Sequence, residues 1–291
     1  MTHREPQPSK GKRLRSLLAD AGLIRVAGAH NGLTARLAER AGFEAVWASG
    51  FEISASYALP DASILSMTQF LEAADAMNAA TLLPVIADCD TGFGGPLNVA
   101  HTVRSYERRG IAGICIEDKL FPKLNSFAGC AQELVPAEEF ARKITAGKVA
   151  QATGEFLLIA RTEALVAGLG LDEALSRADA YREAGADAIL VHSKSRSPEQ
   201  VMQFAARWQW DTPLVAVPTT YADVHEKELL KAGFSMVIYA NQGIRAAIRG
   251  VTVALSALAA AGRGGAVEDQ IVSMGDVFDL QGMTAPFQTH P

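Results

Sequence analysis

A recurring pattern of apolar and polar positions divides the chain into similar units. Four stretches share the end of an amphipathic helix, a glycine, two further residues, an apolar strand and then polar residues. They are "AERAGFEAVWASG" (38–50), "YERRGIAGICIED" (106–118), "YREAGADAILVHS" (181–193) and "LLKAGFSMVIYAN" (229–241). The glycine stands where a helix commonly ends in a left-handed residue. Strands that are apolar almost throughout are typical of parallel sheets covered on both faces.

Four more apolar runs predict the remaining strands. These are "LIRVAGAH" (23–30), "LPVIADCD" (83–90), "FLLIART" (156–162) and "TPLVAVPT" (212–219). Each strand is followed by a helical pattern, and no change in composition interrupts the series. Eight alternating units predict an α/β fold of the (β/α)8 TIM-type barrel class, with an open doubly wound sheet as the alternative. We predict one domain over 1–291, with a polar N-terminal tail at 1–18 and C-terminal helices at 242–291.

Composition and charge exclude several classes of protein. The chain is 49% hydrophobic and carries a net charge of −5, which argues against a nucleic-acid-binding surface. No apolar run reaches the roughly 18–20 residues of a membrane span, and the N-terminus lacks a signal-peptide core. Three cysteines, Cys89, Cys115 and Cys130, form no CxxC spacing. The odd count, with two of the three in apolar strands, predicts reduced thiols in the cytoplasm.

Polar residues collect at the C-terminal ends of the predicted strands, where the active sites of parallel barrels lie. Asp88 and Asp90 are two positions apart, so an extended strand would direct both side chains to one side. Glu117 ends the neighbouring strand. Three carboxylates this close need a compensating cation, and oxygen ligands are those that Mg²⁺ prefers.

A guanidinium and an imidazole also lie at strand ends. Arg161 provides a planar fork that suits phosphate or carboxylate, and His192 ends the sixth strand. Both could instead pair with the acids in a purely structural network. From the residues alone we predict a Mg²⁺ site that holds an α-oxo acid or a phosphorylated acid.

Five motifs resemble the phosphoenolpyruvate mutase/isocitrate lyase superfamily. In order they are "WASGFEISASYALPD", "ADCDTGFGG", "EDKLFPKLNS", "ARTEALVAGLGLDEALSRADAYREAGADAILVHS" and "VPTTY". The resemblance runs from about residue 20 to 280. Its most specific element is EDK followed after five residues by NS, which is similar to the signature of phosphoenolpyruvate mutase. Enzymes of that family interconvert phosphoenolpyruvate and phosphonopyruvate.

The resemblance implies a Mg²⁺ cofactor, with Mn²⁺ or Co²⁺ able to substitute. Asp88 would hold the metal directly, and the other metal residues, Asp61, Asp90 and Glu117, would act through waters. The resemblance also implies that the last helix is exchanged between subunits, which gives a homodimer or homotetramer. A small-molecule substrate is the only other partner expected, with neither nucleic acid nor membrane.

The resemblance further assigns the substrate site and a gating loop over about 117–134. Substrate-binding residues would be Trp47, Ser49, Gly50, Phe51, Asn125 and Arg161. The backbone N–H groups at 49–51 would bind the substrate carboxylate. Catalytic residues would be Lys123, Asn125, Ser126, Arg161 and His192, of which the first three enter the site when the loop closes. Asn125 and Arg161 would hold the phosphoryl group.

Two relatives compete within this family. Phosphonopyruvate hydrolase uses a similar site to cleave the P–C bond, and its loop motif resembles this one with Thr in place of Asn125. The Asn favours the mutase. The segment at 49–67, with Tyr57 and Pro60, looks closer to the hydrolase, and Phe51 replaces the Leu expected in a mutase. We give Asn125 more weight because it would touch the transferred group.

Other activities fit the loop less well. C–C lyases of the superfamily carry a catalytic Cys in a Lys-Lys-Cys-Gly-His loop, whereas this loop reads "FPKLNSFAGC" and its Cys130 has no His neighbour. An oxaloacetate-type lyase is therefore a minor alternative. A non-catalytic barrel that binds a keto acid is the alternative from another class, and it predicts binding without turnover.

Overall fold

A closed barrel of eight parallel strands forms the centre of the molecule in this computed structural model, which describes residues 8–20, 22–129 and 131–283. The strands pair in chain order, and β8 pairs with β1. They are β1 (Ile24–Ala29), β2 (Ala45–Ala48), β3 (Val85–Asp88), β4 (Gly113–Glu117), β5 (Leu157–Thr162), β6 (Ala188–Val191), β7 (Leu214–Ala216) and β8 (Phe234–Tyr239). The predicted TIM-type barrel is confirmed, and the open-sheet alternative is wrong.

Helices alternate with the strands. They are α1 (Lys10–Ala19), α2 (Gly32–Arg40), α3 (Gly50–Ser56), α4 (Met67–Ala80), α5 (Pro96–Arg108), α6 (Ala137–Ala150), α7 (Gly170–Glu183), α8 (Glu199–Arg207), α9 (Glu226–Lys231), α10 (Gln242–Ala261) and α11 (Met274–Gln281). Gly42 and Gly110 have φ of 82° and 71°, so they adopt the left-handed conformation predicted for helix ends.

Two apolar layers account for the near-continuous apolar character of the strands. One layer fills the barrel interior and includes Trp47, Ile86 and Ile159. The other lies between the strands and the surrounding helices. Because each strand is covered on both faces, polar side chains are left to the strand ends.

The prediction of a polar tail over 1–18 is wrong from residue 10 onward. Residues Lys10–Ala19 form α1, whose Leu14 is fully buried among the residues of the barrel interior. Lys10 Nζ donates to the carbonyls of Asn78 and Thr81. The basic residues of this segment therefore serve to attach a helix, because their long stems reach backbone carbonyls at the edge of the barrel.

The chain divides into two compact units, Met1–Asn241 and Gln242–Pro291. The first contains the barrel. The second contains α10, a short 3-10 helix (Gly264–Ala266) and α11. In the part of the chain that is described, α10 is the one helix long and apolar enough to cross a membrane by length and composition. The search for an unbroken apolar run in the sequence does not find it, because Arg245 and Arg249 interrupt the helix. The assignment of 1–291 to a single domain stays a prediction.

Candidate active site

The carboxylates predicted for the metal site come together, although by a different route from the one predicted. β3 ends at Asp88, and Asp90 lies beyond it with a left-handed φ of 49°. The two residues therefore do not share an extended strand. Their carboxylates both approach Gly50, where a β-carbon would lie 3.2 Å from Asp88 Oδ2 and 3.5 Å from Asp90 Oδ1. The residue at the start of α3 must be small to leave room for them.

Lys123 places its ammonium group within this acid cluster. Its Nζ lies 3.0 Å from Asp61 Oδ1 and 2.8 Å from Asp90 Oδ1, and the residue is only 4% exposed. Burial alone would lower the pKa of Lys123, but Asp90, Asp61, Glu117 and Asp88 together raise it well above its ordinary value. The lysine is therefore the charged counterpart of the acids in this conformation.

The acids respond unequally to burial and to this cation. Burial raises the pKa of Asp90 to about 6 against the effect of Lys123, and it also raises the pKa of Asp88. Burial acts in the same direction on Asp61, but Lys123 and a hydrogen bond from Asn125 outweigh it and lower the pKa. Asp88 and Asp90 are thus the two carboxylates whose ionised form the surrounding groups stabilise least.

The oxygen atoms of the cluster suit a hard cation. Asp61 Oδ1, Asp90 Oδ1 and Glu117 Oε1 are buried carboxylate oxygens that accept no well-directed hydrogen bond, although the first two form ion pairs with Lys123 Nζ. Among the residues that the structure describes, no three His, Cys, Asp or Glu side chains are arranged to hold an ion directly. Mg²⁺ commonly binds through one or two carboxylates and keeps several waters, so the donor set fits Mg²⁺ held partly through water.

The loop after β4 is folded over these acids. Asn125 Nδ2 donates to Asp61 Oδ2 at 2.7 Å, and the Asn125 side-chain oxygen accepts from the Phe127 amide at 3.0 Å. Ser126 Oγ donates to Glu163 Oε2 at 2.8 Å and is itself 4% exposed. The predicted loop residues Lys123, Asn125 and Ser126 therefore all face inward. Cys130, predicted to have no catalytic part, lies outside the described residues.

Lys119, where this loop begins, stabilises the turn at 124–126. Its Nζ donates to the Leu124 carbonyl at 2.9 Å and to Ser126 Oγ at 2.7 Å. Glu117 and Glu163 lie at 3.8 and 3.6 Å from the same nitrogen. A cation that follows β4 directly thus contacts both the loop and two acids.

Arg161 is the second cationic centre of the site. The paired register of β4 and β5 places it opposite Glu117, whose Oε2 lies 3.2 Å from Arg161 Nε. The guanidinium also contacts Glu163, and its Nη2 donates to Ser126 Oγ at 3.1 Å. Burial alone would raise the pKa of Glu163, but Arg161 and His192 hold it well below its usual range. Arg161 therefore ties two acids to the loop.

His192 lies next to both Arg161 and Glu163. Its Nδ1 is 2.8 Å from both Arg161 Nη2 and Glu163 Oε1. Nδ1 can serve only one of them at a time, accepting from Arg161 when unprotonated and donating to Glu163 when protonated. Burial and Arg161 lower the pKa of His192. The Phe127 ring of the loop contacts the imidazole edge-on, with centroids 5.6 Å apart.

The residues predicted to hold the substrate carboxylate surround the start of α3. The Ser49 amide donates to the Ala29 carbonyl at 3.0 Å, and its side chain caps the helix at Glu52. The first amides of a helix have no partner within it, so those of Gly50 and Phe51, the first two residues of α3, need an acceptor from outside the helix. Trp47 is 3% exposed and packs in the barrel interior. Trp47 therefore contributes to the packing of the barrel below the site.

Sequence reasoning misses three contributors. Glu163 and Lys119 lie at predicted strand ends, but the pattern assigns them no role, although both are buried and contact the loop. Ser63 contacts both the Lys123 amide and Asp90, but nothing in the sequence singles it out, because a serine in a loop carries no pattern. Asp118 follows Glu117 directly but is buried on the side of the barrel that faces α7, where it accepts hydrogen bonds from Tyr181 and Arg177.

Comparison with known proteins gives a consistent result. The family model for phosphoenolpyruvate phosphomutase matches residues 14–259. Phosphonopyruvate hydrolase of Variovorax sp. (strain Pal2) is 45% identical over 278 residues, which is 94% of this chain and 95% of that protein.

Two solved structures agree closely with this fold. Phosphoenolpyruvate phosphomutase from Streptomyces platensis subsp. rosaceus is 53% identical, with a TM-score of 0.93 over 94% of this chain and 95% of that one. Phosphonopyruvate hydrolase in complex with oxalate and Mg²⁺ is 44% identical, with a TM-score of 0.90 over 95% and 96%. The resemblance found from the motifs is confirmed: this chain belongs to the phosphoenolpyruvate phosphomutase family and is an enzyme of the phosphoenolpyruvate mutase/isocitrate lyase superfamily.

Proposed function

We propose that the protein is a Mg²⁺-dependent phosphoenolpyruvate phosphomutase. The observation that carries the proposal is the position of Asn125, whose amide lies inside the closed loop at 2.7 Å from Asp61. There it can contact a phosphoryl group next to the acid cluster. The reaction is an isomerisation in which the bond from phosphorus to the enol oxygen breaks and a bond from phosphorus to C3 forms. No water is consumed.

The residues of this chain would act mainly by position and charge, as is usual in phosphoryl transfer. The amides of Gly50 and Phe51 would bind the substrate carboxylate, and Arg161 and Asn125 would hold the phosphoryl group as it moves. Asp88, with Asp61, Asp90 and Glu117 around it, would hold Mg²⁺, which would supply positive charge to stabilise the pyruvyl enolate. The same acids support the proposal that Mn²⁺ or Co²⁺ can replace it.

Exclusion of water decides between phosphoryl transfer within the substrate and hydrolysis of the substrate. A water that reached the phosphoryl group would release phosphate and pyruvate instead of completing the transfer. Lys123 and Ser126 are 4% exposed each, so the closed loop covers this part of the site. Ser126 and Lys123 would therefore act as closing contacts, and His192 would keep Arg161 in place.

Phosphonopyruvate hydrolysis is the alternative function. It is favoured by the relative that is 45% identical and bears that name, and by the segment around Tyr57 and Pro60. Tyr57 is 54% exposed, however, and none of the hydrogen bonds described for the acid cluster involves it. We therefore give more weight to Asn125.

We also propose that two or more copies of the chain associate through α10. In the described part of this helix, the apolar residues Ile248, Val251, Val253 and Leu255 are all more than 50% exposed. Burial of such a surface against a second copy would remove it from water. Exchange of the last helix between subunits is the form of association that the family resemblance suggests.

Replacing Asp88 with Ala removes the proposed direct ligand of the metal. We expect Mg²⁺-dependent turnover to fall by at least about a hundredfold, and Mg²⁺ binding measured by calorimetry to weaken in parallel. Asp75→Ala is the matched control, since Asp75 forms an exposed ion pair with Arg109. Normal Mg²⁺ affinity in the Asp88 variant would remove it from the metal site.

Replacing Asn125 with Thr tests the proposed mutase activity. Thr is shorter and carries a single hydroxyl on its β-carbon. That one oxygen cannot occupy both the position of Asn125 Nδ2 beside Asp61 and the position of Oδ1 beside the Phe127 amide. We expect phosphoenolpyruvate formation from phosphonopyruvate to fall about tenfold to a hundredfold and the phosphate fraction to rise. Leu120→Ala, at a 49% exposed loop position, should keep the wild-type product ratio. An unchanged ratio in the Thr variant would mean that Asn125 does not decide the outcome.

Replacing Arg161 with Lys keeps the charge but loses the planar fork. One ammonium cannot contact Glu117, Glu163 and Ser126 in the same geometry, so we expect kcat/KM to fall by roughly a hundredfold or more. Steady-state kinetics provide the measurement, and Arg182→Lys, in a surface ion pair, provides the control. Near-normal kinetics in the Arg161 variant would contradict its role in the phosphoryl site.

The mass of the protein in solution tests the association through α10. We expect light scattering to give a dimer or tetramer for the wild type and a smaller species for Val251→Asp, because a buried unpaired carboxylate is costly. Val149→Asp, at an 81% exposed position on α6, should leave the mass unchanged. A monomeric wild-type protein would refute the proposal.

A further inference from the structure

Ser63 lies between the loop and the acid cluster and contacts both. It belongs to the segment that joins α3 to α4, and its φ of 54° is in the left-handed region. The Lys123 amide of the loop donates to Ser63 Oγ at 3.2 Å. Ser63 Oγ in turn donates to Asp90 Oδ2 at 3.1 Å. A single hydroxyl thus joins the loop backbone to a carboxylate of the proposed metal set.

The chemistry of a hydroxyl fixes the direction of these two hydrogen bonds. Ser has one proton to donate and lone pairs to accept with. An ionised carboxylate can only accept, so the Ser63 proton goes to Asp90 and a lone pair receives the loop amide. Hydrogen bonds to a charged acceptor are the stronger kind, and successive bonds polarise one another. Binding of the loop amide therefore strengthens the bond from Ser63 to Asp90.

The same loop residue also reaches the other oxygen of Asp90. Lys123 Nζ lies 2.8 Å from Asp90 Oδ1, while its backbone acts on Oδ2 through Ser63. Asp90 lies in a tight turn after β3 with φ of 49°, followed by Gly92 with φ of 87°. Such a turn does not by itself fix the rotamer of the carboxylate. Its orientation depends on two contacts, one from Lys123 Nζ of the loop and one from Ser63 Oγ, which itself accepts from the loop amide.

We propose that Ser63 is a positioning residue that couples closure of the loop to the orientation of Asp90. It contacts no reacting atom. When the loop is closed, the hydroxyl both holds the loop backbone and directs Asp90. When the loop opens, one of these two bonds is lost and the other weakens. The proposal rests on the proposed function in one respect, that 117–134 acts as a gating loop over the site.

Two substitutions distinguish the effect of the Ser63 hydroxyl from the effect of the backbone conformation at that position. Ser63→Ala removes Oγ and keeps the β-carbon, whereas Ser63→Gly removes Oγ and relieves any strain of the positive φ. A role of the backbone alone would make the Gly variant equal to or better than the wild type. Ser56→Ala is the matched control, since the Ser56 hydroxyl donates to the local Ile53 carbonyl at 2.7 Å.

Trypsin cleavage after Lys123 measures loop opening without reference to any activity. Lys123 is 4% exposed when the loop is closed, so cleavage there requires opening. When opening is fast compared with cleavage, the cleavage rate follows the open population. Mass spectrometry of native digests gives this rate. Cleavage after Lys143, which is 3% exposed on α6, reports global unfolding in the same digest.

We expect cleavage after Lys123 to be about tenfold faster in both Ser63 variants than in the wild type. Cleavage after Lys143 should keep its wild-type rate in these variants, and Ser56→Ala should be cleaved at the wild-type rate at both sites. Wild-type cleavage rates in both Ser63 variants would overturn the proposal, and so would an effect confined to Ser63→Ala. A protein that releases phosphate from phosphonopyruvate would refute the mutase activity but leave this result intact, because cleavage does not depend on the product.

Discussion

Uncompensated negative charge inside a barrel mouth is the constraint on which the rest of this structure depends. Asp61, Asp88, Asp90 and Glu117 are brought together where little water can reach them. Buried carboxylates need cations or hydrogen-bond donors nearby, because isolated buried charges are very costly. In the closed form described here Lys123 supplies one of these cations, and its raised pKa follows from those four acids.

Because that cation belongs to the loop, closure and charge compensation are linked. The loop brings Lys123 to Asp61 and Asp90, while Asn125 donates to Asp61. On the opposite side, Arg161 joins Glu117 to the loop through Ser126. The acids that Lys123 contacts are among those proposed to surround Mg²⁺. We therefore infer that metal binding and the position of the loop influence each other, as reciprocal coupling requires.

The barrel is predictable from the sequence because its strands are covered on both faces and carry polar residues only at their ends. The same rule identifies Asp88, Glu117 and Arg161 as candidate site residues. It fails in detail for Asp90, since the chain leaves the strand after Asp88 and turns through a left-handed residue that sequence periodicity does not reveal. Ser63 cannot be found in this way, because its role depends on a contact between segments distant in sequence.

Phosphorus NMR of the wild-type protein with phosphonopyruvate and Mg²⁺ tests the central claim most directly. The claim is that the closed loop keeps the phosphoryl group between the two ends of the same substrate and away from water. It predicts that the phosphonate signal is replaced by that of phosphoenolpyruvate, with little inorganic phosphate. Inorganic phosphate as the main product would contradict the claim and identify the hydrolase reaction instead.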